Sequence, residues 1–559
     1  MEKRALLAFA LSLAVLFLWE IFLSPDTSRK AKQPSAPQTA TQAQPQTSPA
    51  PSAPFTPSET QTTVDLKSVP QQHAVPGAAT AKTWVVDTPL YTAKISSAGG
   101  RIESFTLKKH RQKVDPASPL MDLIPSKGAG YLPLAVDLLQ HKDWPLATMP
   151  YDGDGPAEMR LNAGDGEKTV TLSAEIPGTV RVRKLLRFSP ETYAVGVEVV
   201  VENLSEAPLT DQLGISSYAM PFDGVESSYN MSHVTVFKNG SLDKFDQKSL
   251  KKETPVLKPP MHWIGYENNY FIQAVLPGVQ DHFQVAPRLL DPDSGLVQLV
   301  YLTDPFTVAP GAAVTVSNTY YWGPKELEAL KRADSRLERA LDFGWFSFLA
   351  KPLLIFLRWL YNYAHNYGVA IIILTVIIKI LFWPLTHKSY KSMQVMKKIQ
   401  PKMAQIREKY KDDREKLNQE LMMLYRTYKV NPLGGCLPMV LQIPVFFALY
   451  RMLYGAIELR HQPFWLWIND LTAPDRLFIG FDVPYLGGVP VLTLLMGASM
   501  FIQQKMTPSA GDPRQEKMML MMPVIFTVFF VNFPSGLVLY WFVNNVLSIV
   551  QQYWINRYA

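Results

Sequence analysis

Hydrophobic positions along the chain follow three patterns. Long uncharged runs lie at the start and throughout the last third, short strand-like runs fill the middle, and a polar tract separates the first run from the middle. The run that organises the rest is Tyr367–Thr386, YGVAIIILTVIIKILFWPLT, which is apolar except for Lys379. About 20 apolar residues are what a helix needs to cross a bilayer core, so it predicts a membrane span. Lys379 lies seven residues before Thr386, ~10 Å along a helix from that end. A cation at such a depth costs ~2.5 kcal/mol or more. Two readings are open: its stem snorkels the ammonium to the interface, or it faces a wet cavity between helices and meets a partner there.

The chain opens with Met1-Glu2-Lys3-Arg4 and the apolar Ala5–Leu23. That run is longer than a signal-peptide core and no small-x-small site follows it, so residues 1–23 read as an uncleaved first span with a cytoplasmic N-terminus. Ser24–Thr63 is almost all Pro, Gln, Thr, Ser and Ala. Such a tract buries too little apolar surface to order itself, and 24–82 reads as a flexible tether.

From Thr83 the period changes to that of strands. Thr83–Asp87, Tyr91–Ser96, Lys168–Ala174, Val180–Phe188, Ala194–Val201, Val297–Leu302 and Ala313–Trp322 are rich in Val, Tyr and Thr, with turns at Gly99-Gly100, Pro177-Gly178 and Pro310-Gly311. Strands without alternating helices predict a large antiparallel β-sandwich over 83–324. Gly99-Gly100 reads as a turn, since no helix signal follows it to make a phosphate loop. Residues 325–366 form a link: Lys325–Leu341 has a helical period, and Phe346–Tyr363, with Trp359, Tyr361 and Tyr363, reads as an amphipathic helix on the membrane surface.

After the lysine-bearing span, His387–Asn431 holds 12 Lys and Arg against 5 Asp and Glu, a net charge of +7. By the positive-inside rule it is cytoplasmic. Met393, Met396, Ile399, Met403, Ile406 and Tyr410 recur at helical steps, as do Leu417, Leu421, Leu424 and Tyr428 after a break at Lys411-Asp412-Asp413. This predicts a helical hairpin at 387–431, with Pro401 kinking or restarting its first arm. The arm is either solvated and partnerless or, through Met393, Met396 and Met403, an adaptable contact surface. Four further spans, roughly Leu433–Gly455, Leu486–Gln504, Met518–Phe533 and Gly536–Tyr553, complete a five-helix core over 367–559. The fold class is thus a six-span α-helical membrane protein with both termini in the cytoplasm, a large extracytoplasmic β-sandwich and a cytoplasmic helical hairpin.

Charge and composition refine this picture by exclusion. The net charge of +7 over 559 residues sits largely in the hairpin, where topology accounts for it, and implies no direct nucleic-acid function. One cysteine, Cys436, allows no intrachain disulfide. No metal-spaced His/Cys cluster, no Ser-His-Asp constellation and no Gly-x-x-x-x-Gly-Lys-Ser/Thr loop occurs, so neither metal, cofactor nor nucleotide is expected and the chain does not read as an enzyme. Asp342-Phe343-Gly344 lacks the other kinase motifs and is accidental. No Asp or Glu lies inside the last five spans, where ion-coupled transporters place carboxylates. Uncharged polar residues occupy helix faces instead: Thr375, Gln442, Thr493 and Ser499, and in the last span Trp541, Asn544, Asn545, Ser548 and Gln552. Singly these read as interhelical hydrogen bonds; beside one buried cation they outline a polar, half-wet groove.

The chain resembles the YidC-type membrane protein insertase family in its Gram-negative form. The resemblance is carried by Tyr428–Tyr450, YKVNPLGGCLPMVLQIPVFFALY, by Pro523–Tyr540, PVIFTVFFVNFPSGLVLY, and by Trp383-Pro384-Leu385-Thr386 and Tyr321-Trp322-Gly323-Pro324. It implies insertion of new membrane proteins without nucleotide, through a hydrophilic groove whose positive residue receives the client's extracytoplasmic part. That residue is usually arginine in the family; the matching position here is Lys379, which keeps the charge and loses the planar five-donor fork. Client contacts fall on Thr375, Tyr540 and Trp541. The resemblance also implies a mutarotase-like β-supersandwich in the periplasm, an inner-membrane location, nascent membrane proteins and membrane lipids as partners, and cooperation with the Sec translocon. The ribosome is a further contact open to the arm, although Ile555–Ala559 offers no long basic tail. Two alternatives stay open beside it, a solute transporter and a membrane-anchored periplasmic carbohydrate-binding protein.

Overall fold

The computed structural model describes residues 81–222, 230–278, 283–428, 437–506 and 513–558. The expected first span, the tether through residue 80, Cys436 and the end of the expected hairpin at 429–431 lie outside the described residues.

Residues 83–324 form a β structure whose described pairings are antiparallel except for Thr83–Asp87, which runs parallel to Glu158–Arg160, with strands at all seven of the sequence-marked runs. A nine-stranded sheet runs in the order Ser241–Phe245, His233–Lys238, Trp263–Glu267, Phe271–Pro277, Ala313–Pro324, Ala194–Asn203, Val180–Phe188, Lys168–Ile176, Asp152–Asp154. A five-stranded sheet is built on Arg101–Arg111 and Tyr91–Ser96, and a four-stranded sheet on Leu296–Thr303 and Leu213–Ala219. Alternation drives the packing: in Val180–Phe188 the residues Val180, Val182, Leu186 and Phe188 are buried, and Arg183 and Arg187 are exposed. Aromatic rings join two sheets, Tyr91 stacking on Phe105 at 4.2 Å and Phe105 meeting Trp322 at 5.4 Å.

The same alternation buries one cation, Lys184. Its ammonium donates to the carbonyls of Gly99 at 2.6 Å, Leu134 at 2.7 Å and Gly100 at 3.3 Å, three acceptors for three N–H groups. Gly99-Gly100 is therefore a turn, as its lack of a following helix predicts. A side chain at Gly99, whose φ is +70°, would also strike the Ala147 carbonyl oxygen at 2.1 Å.

Nine helices complete the described chain: α1 (Gln247–Lys252), α2 (Leu327–Ala333), α3 (Ser347–Ala364), α4 (Tyr367–Lys409), α5 (Arg414–Thr427), α6 (Leu437–Gly455), α7 (Val491–Met506), α8 (Pro513–Phe530) and α9 (Ser535–Tyr558). Several differ from expectation: α1 was unforeseen, α8 begins at Pro513 and not Met518, and α9 runs on to Tyr558. The charged segment Lys325–Leu341 is not one helix: α2 ends at Ala333, and the carboxylate of the extended Asp334 accepts from Arg336 N at 2.7 Å and turns the chain into a short 3₁₀ segment, Leu337–Ala340. Span and arm are a single 43-residue helix, α4, with Pro384 and Pro401 inside it, so Pro401 does not restart it. Finally, α7 begins after Pro490 and not at Leu486, because Gly487-Gly488 and the proline favour a turn there.

Caps define α4 and α5. Asn366 accepts from Val369 N at 3.1 Å and Asp413 from Lys416 N at 3.1 Å. From Asp413 the chain folds back, so that Lys402 of α4 hydrogen-bonds Tyr428 just beyond α5. Among the described residues α4 is the one helix long and apolar enough to cross a membrane by length and composition, with Met519–Phe530 of α8 a shorter apolar stretch. α9 packs against α4 and α7, α7 against α8, and α3 against α4 and α6.

Candidate functional site

Helix α9 carries a row of amides and hydroxyls that a lipid-facing helix would not tolerate, and each finds a neighbouring helix. Lys379 of α4 donates its Nζ proton to Ser548 Oγ at 2.7 Å, and Ser548 in turn donates to Asn544 O at 2.8 Å. Gln442 of α6 donates Nε2 to Asn544 Oδ1 at 3.0 Å. Lys379, Ser548, Asn544 and Gln442 thus join three helices through one network. Among the described residues Ser548 is the sole hydrogen-bond partner of the Lys379 ammonium, and no carboxylate lies within ion-pair reach of it. An ammonium has three donors, so two remain for a ligand or water. Lys379, Gln442 and Asn544 are all half-buried.

The other expected groove residues fall around this network in different ways. Thr375 sits one turn from Lys379 on the same α4 face, but its hydroxyl donates to Ile371 O at 2.7 Å and the residue is 1% exposed. Asn545 is buried and turned toward α7, donating Nδ2 to Ser499 Oγ at 3.1 Å. Tyr540 is also buried. Trp541 enters an aromatic cluster, 4.7 Å from Phe446, 4.7 Å from Phe530 and 5.8 Å from Phe526. It lines the α6–α8–α9 contact with carbon, whereas the polar network lies a turn further along α9.

Several polar contacts of the same seam were not foreseen. Gln551 Nε2 donates to Thr386 Oγ1 at 2.7 Å, and Gln394 Nε2 reaches Ile555 O at 3.0 Å. Asn544, Ser548 and Gln551 stand at i, i+4 and i+7, the spacing that could have marked Gln551. In the arm, Met403 is buried against the α4–α5 seam with Ile399, and Met393 and Met396 are half-buried. The exposed methionines are Met422 and Met423 of α5, at 53% and 59%.

Known proteins align with this sequence from end to end. Residues 359–559 match the family described as 60Kd inner membrane protein, and residues 83–356 match the YidC periplasmic domain. A membrane protein insertase YidC of Syntrophobacter fumaroxidans is 57% identical, covering 100% of both chains. The chain belongs to the YidC family of membrane protein insertases. A YidC of Syntrophus aciditrophicus is 42% identical, again over 100% of both chains. A solved structure of an active YidC insertase with its first transmembrane domain resolved has 20% identity and a TM-score of 0.36, covering 86% of this chain and 93% of that one. As a YidC-family chain, the protein is an insertase of the inner membrane with a periplasmic β-rich domain, and neither the transporter nor the carbohydrate-binding alternative has support.

Proposed function

We propose that this insertase works by lowering the cost of dehydrating a client's polar segment, through the network Lys379–Ser548–Asn544–Gln442. The observation that carries the reading is the half-buried Lys379 ammonium, held by one hydroxyl with no carboxylate beside it among the described residues. An intramembrane cation left in that state costs free energy, and a client carboxylate entering the seam offsets it. Ser548 positions the ammonium, Asn544 and Gln442 supply amides to a passing backbone, and Thr375 and Tyr540 shape the adjoining wall. The client's apolar segment then leaves along α9, past Trp541, into lipid.

The rest of the assembly follows from this reading. Six spans with both termini in the cytoplasm place the hairpin where nascent chains emerge, so the arm meets the client first. Ribosome and Sec translocon are further partners at that stage, and α3 rests on lipid through its exposed Trp359 and Tyr363.

The test is a pair of substitutions. Lys379→Arg retains insertion; Lys379→Ala loses it about tenfold or more for a client with an acidic extracytoplasmic segment, and less for the same client with those residues neutralised. Near-normal insertion of both clients by a stable Lys379→Ala protein refutes the charge role. An equal loss for both assigns the lysine to packing.

A further inference from the structure

The connection between α6 and α7, residues 456–490, is anchored at many points and yet presents bare apolar tips. Its base is fixed to the α8–α9 turn: Ser535 N donates to Ala473 O at 2.8 Å and Gly536 N to Leu471 O at 2.9 Å. Arg476 then ties off a finger. Its guanidinium donates to Leu486 O and Val531 O at 2.7 and 2.8 Å and to Asn532 Oδ1 at 2.7 Å, while Leu477 and Val489 exchange two backbone hydrogen bonds of 2.8 Å. Within that clamp Phe478 (64% exposed), Ile479 (46%), Phe481 (62%) and Tyr485 (106%) project outward. Tyr485 does so at φ +65°, a conformation that L residues seldom adopt. Asp482 is the one charge of the finger.

The position of the finger selects its occupant. Arg460, from the same connection, donates to the carbonyls of Arg111 and Gln112 at 2.7 and 3.1 Å, so the segment lies on the side of the periplasmic domain. It emerges where α7 begins and α8 ends. Leu494 and Leu495 of α7 and Ile525, Val528 and Phe529 of α8 are exposed there, continuing the apolar surface down the two helices. A soluble surface does not maintain such a patch, and aromatic side chains at the end of an apolar helix belt suit the headgroup level.

We propose that the finger Leu477–Val489 is seated in the periplasmic leaflet, with Phe478, Ile479, Phe481 and Tyr485 at the headgroup–acyl boundary, and so fixes the depth of α7 and α8 in the bilayer. The inference goes beyond the groove reading and does not depend on it. It is tested in a Cys436→Ser background by single cysteines, Phe481→Cys, Tyr485→Cys and Ile479→Cys, each carrying an environment-sensitive fluorophore. Glu167→Cys, on an exposed loop of the β domain, is the aqueous control. The full chain is placed in nanodiscs of phospholipid alone, with acyl chains plain or brominated. Bromine quenches the finger labels about twofold or more and leaves the control unchanged, while aqueous iodide does the reverse. Finger labels quenched by iodide like the control overturn the proposal. Labels shielded from both quenchers overturn it too, since they place the finger against protein. Three positions keep the test decisive if one variant fails to fold.

Discussion

Glu458 follows the end of α6, with its side chain only 7% exposed, and neither of its carboxylate oxygens is hydrogen-bonded to another described residue. The Arg358 guanidinium stands 4.0 Å away. Burial pushes its pKa up to about 7, more than its own backbone N–H and the Arg358 charge lower it. The folded chain therefore holds this proton to higher pH than the unfolded chain does. Its contribution to stability is greatest below the ordinary value of 4.5 and declines as the pH rises toward about 7. Glu458→Gln is expected to flatten that part of the stability profile and to raise stability at pH 8 by on the order of 1–3 kcal/mol. Thermal unfolding of the purified protein across pH 4–8 checks it; an unchanged slope refutes it. Nothing in the sequence marks Glu458, because a carboxylate just outside an apolar run reads as solvated. Lys379 was legible for the opposite reason, being the one charge within its run. Gln442, Asn544 and Ser548 were legible as uncharged polar residues within apolar runs, but polarity alone could not tell that Asn545 turns to α7 or that Thr375 spends its proton on its own helix.

At the scale of elements, period and capping chemistry were readable and continuity was not. Strands such as Val180–Phe188 and Ala194–Asn203 follow the period-two pattern because each has one buried face, whereas Leu213–Ala219, Phe271–Pro277 and Leu296–Thr303 are buried on both faces and do not alternate. The union of span and arm in α4 escaped the sequence, since a change from apolar to basic residues marks a change of solvent and not a helix end. Pro384 and Pro401 each remove a single backbone donor, and the long helix carries on around them. The arm shows a second limit. A methionine seam describes the inside of a hairpin as well as a contact surface, and Met403 belongs to the inside. If the arm is an adaptable contact surface, Met422 and Met423, exposed on the open face of α5, are the methionines that would form it. Charging that face, by Met422→Glu with Met423→Glu, is expected to weaken early crosslinks to nascent chains several-fold while leaving the hairpin folded. Unchanged crosslinking makes the arm a solvated spacer.

For the whole molecule, the question is how much the β domain contributes to insertion. It adjoins the helical part through a few defined contacts. Lys325 forms a buried 2.9 Å pair with Glu267, Lys244 pairs with Asp342 at 3.2 Å, and Arg460 grips the carbonyls of Arg111 and Gln112 with its guanidinium 5.2 Å from the Phe271 ring. All three lie at segments that lead into or connect the helices, and none of the described residues of 83–324 enters the Lys379–Ser548–Asn544–Gln442 network. Docking is thus separable from the groove. Arg460→Ala leaves two carbonyls without their cation but removes no part of the seam. It is expected to broaden the distances between spin labels on the β domain and on α7 while insertion continues. Deleting residues 83–324, with α2 and α3 retained, goes further and is expected to keep substantial insertion of short-looped clients, read by protease protection. Complete loss of insertion by a truncated protein that is stable and in the membrane would show that the β domain takes part in the reaction. Loss caused by Arg460→Ala alone would trace that part to its docking.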